Sequence, residues 1–140
     1  MSNRKRLDIW TKKAYQLGYP SRSYWKLYHC NKKFNFLKNG FNVLDLGYFP
    51  GSWTMYASKC VGLNGSVKSY DLKPSLDSPG TFDNNVTLKQ ANVLETNFDN
   101  IRNIDVVLSD MAPNTSGIKE VDIANSIDLV QVSIDISKKV

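Results

Sequence analysis

The sequence has one histidine, two cysteines and no long apolar run, and each scarcity excludes a class of protein. His29 alone cannot form a histidine metal cage, and Cys30 and Cys60 lack the C-x-x-C spacing of metal or redox sites. No run of about 20 apolar residues offers a membrane span, and no apolar stretch follows the basic amino terminus as in a signal peptide. The chain is therefore predicted to be a monomeric cytoplasmic domain with no metal and no membrane partner. An organellar location, such as the mitochondrion, is the alternative.

Acidic residues are almost missing from the first 39 residues, which carry one Asp against ten Lys or Arg. Residues 40–140 have the opposite balance, with eight basic and twelve acidic residues, so the net charge of +5 is concentrated near the amino terminus. The aromatic residues among these cations are Trp10, Tyr15, Tyr19, Tyr24, Trp25 and Tyr28. Cations beside rings that can stack on bases are typical of nucleic-acid binding. We interpret residues 1–39 as a basic, aromatic helical arm that binds RNA; the alternative is a solvated face whose rings pack on the core formed by residues 40–140.

Hydrophobic periodicity predicts an alternation of strands and helices. The strands are predicted at residues 43–46, 66–71, 86–90 and 104–110, and the helices at residues 8–18, from Ser21 or Ser23 to about Phe36, and at 52–61 and 122–138. The predicted apolar stripes are Trp25, Tyr28, Lys32 and Phe36 in the second helix, and Ile123, Ile127, Val130 and Ile134 in the last. This alternation predicts an α/β fold with a mostly parallel sheet.

A glycine turn follows the clearest predicted strand, with Gly47 and Gly51 on its two sides. Small residues there let a ligand approach the backbone at the carboxyl edge of the sheet. The spacing is not the G-x-G-x-x-G of dinucleotide-binding proteins, and Pro50 removes an amide donor that a phosphate would need. An adenosine ligand without phosphates, such as S-adenosylmethionine, suits this loop better. The alternative is that the glycines only shape a turn.

Aspartates end two of the other predicted strands. Asp71 lies 24 residues after Gly47, where an acid can accept hydrogen bonds from both ribose hydroxyls of an adenosine ligand. A turn-forming aspartate ahead of Pro74 is the alternative interpretation. Asp110 ends the fourth strand and opens into a loop over residues 111–117, at the same edge of the sheet as Gly47.

Several motifs occur in the order in which a known family has them. They are Gly-Tyr-x-Ser-Arg-Ser-x-x-Lys-Leu at residues 18–27, Leu-Asp-Leu-Gly-x-x-Pro-Gly-x-Trp at 44–53, Asp-Leu at 71–72 and Ser-Asp-Met-Ala-Pro-Asn at 109–114 with Gly117. On these motifs the chain resembles the FtsJ/RrmJ family of ribosomal RNA 2′-O-ribose methyltransferases, from about residue 8 to the last residue. The resemblance implies the Rossmann-like fold of S-adenosylmethionine-dependent methyltransferases.

The resemblance also implies a site and a substrate. The cofactor-binding residues would be Gly47, Pro50, Gly51, Trp53, Asp71, Asn92 and Asp110. Lys26 and Asp110 match the first two members of the family's Lys-Asp-Lys-Glu catalytic set. Family members methylate a ribose, typically of a uridine, in large-subunit ribosomal RNA. The expected partner is therefore ribosomal RNA or the large ribosomal subunit.

The chain departs from the family pattern at two places. Asn92 stands where the family usually has Asp, although an amide oxygen can still accept a hydrogen bond. The second catalytic Lys and the Glu have no match, because the sequence ends after the fourth predicted strand and its helix, before the further strands expected. Three alternatives therefore stay open: an RNA-binding remnant without catalysis, a messenger-RNA cap 2′-O-methyltransferase and an NAD-dependent oxidoreductase.

Overall fold

The computed structural model describes residues 7–140, which form four strands and four α-helices. In chain order these are α1 (Ile9–Gln16), α2 (Tyr24–Phe34), β1 (Asn42–Leu46), α3 (Ser52–Val61), β2 (Ser66–Asp71), a 3-10 turn (Ser75–Asp77), β3 (Val86–Gln90), β4 (Val106–Ser109) and α4 (Lys119–Lys139). Each predicted strand and helix is therefore confirmed: the elements at 52–61, 66–71 and 86–90 have the predicted bounds, and the ends of the others differ by one to a few residues. Arg4, Lys5 and Arg6 of the predicted basic arm lie outside the described residues.

The four strands form one parallel sheet in the order β3-β2-β1-β4. The predicted α/β fold with a parallel sheet is confirmed. Because the strands run in one direction, their carboxyl ends meet at a single edge of the sheet. The chain moves to opposite sides of β1 when it forms β2 and β4, and such a switch point opens a crevice at that edge.

Strand β1 is buried on both faces, which explains why its sequence is nearly all aliphatic. On one face, Val43 packs with Val67 and Leu108 beneath α2 and α3. On the other face, Leu44 and Leu46 pack with Tyr70, Val93, Phe98 and Ile136 beneath α4 and the segment between β3 and β4. The sheet is thus the middle layer between two groups of helices and loops.

Helix α2 packs through a different row from the predicted one. Tyr24 and Leu27 are its buried residues, and Asn31 continues this row by donating from Nδ2 to the Tyr56 hydroxyl of α3 at 3.3 Å. Of the predicted stripe, Trp25, Tyr28 and Phe36 are partly buried against the core, whereas Lys32 is exposed, because the most buried side of the helix is turned by one residue. Ser23 precedes the helix, and its Oγ makes no capping bond to the helix backbone.

Helix α4 shows the same kind of rotation. Its predicted apolar stripe of Ile123, Ile127, Val130 and Ile134 is 43% to 62% exposed. Val132 and Ile136 pack on the sheet instead. Apolar residues lie on both sides of this helix, so periodicity does not identify the side that packs. No helix in the described part of the chain, α4 included, is long and apolar enough to cross a membrane.

Candidate active site

A cavity of about 620 Å3 opens at the carboxyl edge of the sheet. Its wall includes one predicted residue from the end of each strand: Gly47 after β1, Asp71 of β2, Asn92 after β3 and Asp110 after β4. Its volume lies in the range of small-molecule binding sites. The parallel sheet therefore brings these four residues to one site.

Gly47 allows two loops of this site to approach closely. Its φ is +77°, a conformation that favours glycine, and a Cβ built there would lie 2.7 Å from Met111 Cγ and 3.1 Å from Met111 Cα. The Gly47 amide donates to the Tyr70 carbonyl at 2.8 Å. The absence of a side chain thus lets the loop after β4 lie directly against the turn after β1.

Replacing Gly47 by alanine is expected to lower the free energy of unfolding by roughly 1–2 kcal/mol for the backbone conformation and by roughly 1–3 kcal/mol more for the displaced Met111. Gly40→Ala is the matched control, because Gly40 has a φ of +83° and no neighbour within 4 Å of its Cβ position. Urea unfolding measures both variants. Equal losses would show that the contact with Met111 contributes nothing.

The carboxylate of Asp71 is fixed by two backbone amides. Its Oδ2 accepts from the Phe49 amide at 2.9 Å and its Oδ1 from the Lys73 amide at 3.0 Å. Each ionised carboxylate oxygen can accept a further hydrogen bond, so the group is oriented and still has room for two hydroxyl donors. Lys73 Nζ lies 4.3 Å from the centroid of the Phe49 ring, and both side chains line the cavity.

The side chain of Asn92 is partly engaged with its own backbone. Its Oδ1 accepts from the Leu94 amide at 3.0 Å. This bond holds the loop after β3 in a turn and directs Asn92 and Leu94 to the cavity wall. The amide nitrogen of Asn92 then offers two donors to a ligand, which an aspartate at this position could not do.

Lys26 and Asp110 form an ion pair, with Lys26 Nζ 3.5 Å from Asp110 Oδ1 across 84 residues of sequence. Asp110 lines the cavity, whereas Lys26 extends from α2 with 69% of its side chain exposed. The pair therefore places a cation beside the cavity wall, where a second, larger substrate could meet a ligand held inside.

The FtsJ-like methyltransferase family model matches residues 19–140, which is most of the chain and includes the whole cavity. The chain belongs to the FtsJ-like methyltransferase family. The resemblance noted in the sequence is thereby confirmed. Family membership implies S-adenosylmethionine as the cofactor.

Two curated relatives of this FtsJ-like chain are named ribosomal RNA large subunit methyltransferase E. The protein of Desulfatibacillum aliphaticivorans is 46% identical over 91% of this chain and 62% of its own length. The protein of Methanocaldococcus jannaschii is 43% identical over 96% of this chain and 57% of its own length. The chain thus spans about three-fifths of these relatives. A crystal structure of a ribosomal RNA methyltransferase from Plasmodium falciparum matches with a TM-score of 0.65 and 28% identity, covering 84% of this chain and 69% of that one.

Three of the predicted cofactor residues of this FtsJ-like methyltransferase chain do not line the cavity. The Pro50 carbonyl accepts from Ser78 Oγ at 2.6 Å, and a Cβ on Gly51 would lie 2.6 Å from the Phe82 ring. Trp53 donates from Nε1 to the Ser23 carbonyl at 2.8 Å. All three residues hold the turn against its neighbours, and their contact with the cofactor stays a prediction.

Helix α4 contributes cavity residues that the sequence analysis missed. Asn125, Asp128 and Leu129 line the wall opposite the strand ends. Their spacing of three and four residues, about two helical turns after the 111–117 loop, is the signal that could have identified them. With Asp128, the described wall has three carboxylates, at Asp71, Asp110 and Asp128, and one lysine, Lys73. This excess of negative charge suits a cationic ligand.

The residues present fit S-adenosylmethionine. The fixed carboxylate of Asp71 matches the vicinal hydroxyls of a ribose, and the Asn92 amide can donate to a base nitrogen. The carboxylates of Asp110 and Asp128 suit the positive sulfonium and ammonium groups of the cofactor. Among the described residues, no group of three His, Cys, Asp or Glu side chains is arranged to hold a metal ion.

Asp45 lies in β1 directly ahead of this site and is completely buried. Its Oδ2 accepts from Thr54 Oγ1 at 2.7 Å, and Thr54 Oγ1 lies 2.7 Å from Ser69 Oγ. Its Oδ1 has no hydrogen-bond partner among the described residues. The pKa of Asp45 is raised from 3.8 to about 7, chiefly by burial. The hydrogen bond from Thr54 lowers this pKa, and the charges of Asp110 and Asp71 raise it.

Proposed function

We propose that this chain methylates the 2′-hydroxyl of a ribose, a uridine ribose by the family resemblance, in large-subunit ribosomal RNA, with S-adenosylmethionine as the methyl donor. The observation that carries the proposal is the ion pair of Lys26 and Asp110 beside a cavity that fits the donor. The relatives named as large-subunit ribosomal RNA methyltransferases support the substrate class.

The chemistry requires alignment more than covalent catalysis. When bound, S-adenosylmethionine supplies a methyl group that its sulfonium already activates. The chain must then hold the ribose oxygen in line with that methyl and stabilise the negative charge on the oxygen as its proton leaves. In our proposal Lys26 Nζ donates to the 2′-oxygen, Asp110 keeps the ammonium at the edge of the cavity, and the hydroxyl proton passes to solvent water as the oxygen takes the methyl group and the donor becomes a neutral thioether.

One observation favours a second candidate, which is binding of donor and RNA without turnover. Among the described residues, Lys26 is the only lysine that pairs with Asp110. The lysines after Asp110 in the sequence, at 119, 138 and 139, do not line the cavity. Lys73, the lysine of the described wall, lies with its Nζ 4.3 Å from the centroid of the Phe49 ring and does not pair with Asp110. The described site therefore has an orienting cation but no second lysine paired with Asp110 that could accept the proton of the hydroxyl.

Two measurements on the 140-residue chain separate these functions. Isothermal titration is expected to show binding of S-adenosylmethionine and no binding of NAD, because the glycine turn lacks the spacing that cradles a pyrophosphate. Tritiated donor is then mixed with protein-free large-subunit ribosomal RNA, with capped messenger RNA as the matched substrate. Label in a 2′-O-methylated ribose of ribosomal RNA supports methyl transfer.

Each other outcome selects another function. Donor binding without label in either RNA, and without label in the assembled large ribosomal subunit offered in the same assay, selects the non-catalytic candidate. Label in the cap-adjacent ribose alone selects a cap methyltransferase. Binding of NAD in preference to S-adenosylmethionine would overturn the proposal altogether.

A further inference from the structure

Two tryptophans, Trp10 of α1 and Trp25 of α2, form an aromatic pair at the surface, the aromatic step. The Trp10 side chain is 48% exposed, and its ring meets the edge of Trp25 at a centroid distance of 5.5 Å and an angle of 69°. Trp25 Nε1 donates to the Trp10 carbonyl at 3.0 Å, which holds the two helices together at this point. One helical turn further along α2, the His29 ring lies 5.9 Å from the Trp25 ring at an angle of 28°.

The packing of α1 does not account for the exposed ring of Trp10. Ala14 is the buried residue of this helix. Tyr19, directly after α1, is buried and stacks on Tyr24 with ring centroids 4.0 Å apart. These contacts anchor α1 to the rest of the chain, whereas about half of Trp10 remains available to solvent or to a ligand.

Cations surround this aromatic step. Lys13 Nζ lies 5.1 Å from the centroid of the Trp10 ring. On α2, exposed Lys26, His29 and Lys33 follow one another at spacings of three and four residues, so they share one side of the helix, and Lys26 and Lys33 are cations. Exposed Arg22 lies just ahead of α2, four residues before Lys26. Arg22 also pairs with Asp8 at 3.4 Å.

Lys26 brings this row of side chains to the cavity, because it is the residue that pairs with Asp110. Lys33 lies seven residues further along α2, which corresponds to roughly 10 Å of helix. A polyanion that enters the site at Lys26 therefore finds further cations along α2, with the aromatic step next to them.

We propose that this α1–α2 face, made of Trp10, Lys13, Arg22, Trp25, His29 and Lys33, binds single-stranded RNA beside the ribose held at Lys26. A flanking base stacks on Trp10, and the backbone phosphates follow the cations of α2. The inference rests on the proposed function for its RNA partner. A single strand is the partner that fits, because its bases expose the faces that a duplex hides. An acidic protein surface would match the cations but would leave the exposed ring without a partner.

The test uses fluorescence anisotropy of the whole chain with a labelled, mixed-sequence oligoribonucleotide of roughly 12 nucleotides. Trp10→Ala is expected to weaken binding roughly 5- to 150-fold, the range seen when a stacked ring is removed. Trp10→Phe keeps a ring and is expected to restore most of the affinity. Tyr15→Ala is the matched control, because Tyr15 is an equally exposed ring of α1 that points away from Trp10 by about 140°, and it should bind like the wild type.

An abasic strand of the same length separates stacking from charge. Trp10→Ala should bind it as the wild type does, whereas Lys13→Ala should reduce the slope of log affinity against log salt by about one for the mixed-sequence strand. Wild-type affinity in Trp10→Ala, or an equal loss for both strands, would overturn the inference. If Trp10→Ala does not fold, as judged by circular dichroism, an unchanged salt slope in Lys13→Ala overturns it instead.

Titration of the same variants with S-adenosylmethionine keeps this inference distinct from the proposed function. Trp10 does not line the cavity, so donor affinity should be the same in Trp10→Ala and the wild type. Failure of the wild type to bind the donor would refute the proposed function. Normal donor binding with no effect of Trp10→Ala on RNA would refute only the α1–α2 face.

Discussion

Replacing Lys26 by alanine is expected to slow methyl transfer roughly 10²- to 10³-fold, the range for loss of a donor that stabilises developing negative charge, while donor affinity stays within about twofold of wild type. The reason lies in the position of Lys26, whose ammonium contacts Asp110 at 3.5 Å but is not part of the cavity wall. Initial rates with tritiated donor measure the first quantity, and isothermal titration with S-adenosylmethionine measures the second.

Lys12→Ala is the matched control, since Lys12 is an exposed lysine on α1 that does not line the cavity. The rate of methyl transfer and the donor affinity of this variant should equal those of the wild type. Asp110→Ala should lower both the rate of methyl transfer and the donor affinity, because Asp110 lines the cavity and also pairs with Lys26. Unchanged transfer in Asp110→Ala would remove that residue from the site. A parallel loss of transfer and donor affinity in Lys26→Ala would instead show that Lys26 acts by supporting the cavity.

The position of much of the site follows from sequence because the sheet is parallel. Gly47, Asp71 and Asp110 each end or follow a strand that hydrophobic runs identify. Parallel strands present their carboxyl ends at one edge, so residues far apart in sequence must meet there. No contact between side chains had to be known for this prediction.

The rotation of the helices could not be predicted in the same way. Helix α4 carries apolar residues on both sides, and the sheet selects the side with Val132 and Ile136. That choice turns Asp128 into the cavity, although in the sequence it resembles a solvated polar residue. The cofactor contact implied for Trp53 stays a prediction, and the structure adds a contact that its motif did not show, between its indole and the Ser23 carbonyl. Tertiary packing, rather than local pattern, determines both positions.

Asp45 is expected to make the chain less stable as the pH rises from about 4 to about 7. Burial raises its pKa in the folded chain from 3.8 to about 7, so between these values the folded state retains a proton that the unfolded state has released. The free energy of unfolding then falls with pH across this window, by on the order of 4 kcal/mol in total. Above pH 7 both states are ionised and the loss is complete.

Asp45→Asn should abolish this contribution, because the amide has the same shape and no charge. Its oxygen can still accept from Thr54 Oγ1, which lies 2.7 Å from Asp45 Oδ2 in the wild type. Near pH 4 the variant should be the less stable protein, since its amide nitrogen takes the place of an oxygen that has no partner among the described residues and needs acceptors of its own. Near pH 8 it should be the more stable one.

Urea unfolding at several pH values measures the difference in the free energy of unfolding between the wild type and Asp45→Asn. The contributions of carboxylates that both proteins have cancel in this difference. Asp77 is exposed and supplies the matched control. The free energy of unfolding of Asp77→Asn should show the same pH dependence as that of the wild type. If the free energy of unfolding of Asp45→Asn changes with pH as that of the wild type does, the folded chain holds Asp45 ionised. Thr54 would then donate to a charged carboxylate, and its own Oγ1 lies 2.7 Å from Ser69 Oγ, which supports this hydrogen bond. The sheet beneath the site would carry a buried negative charge.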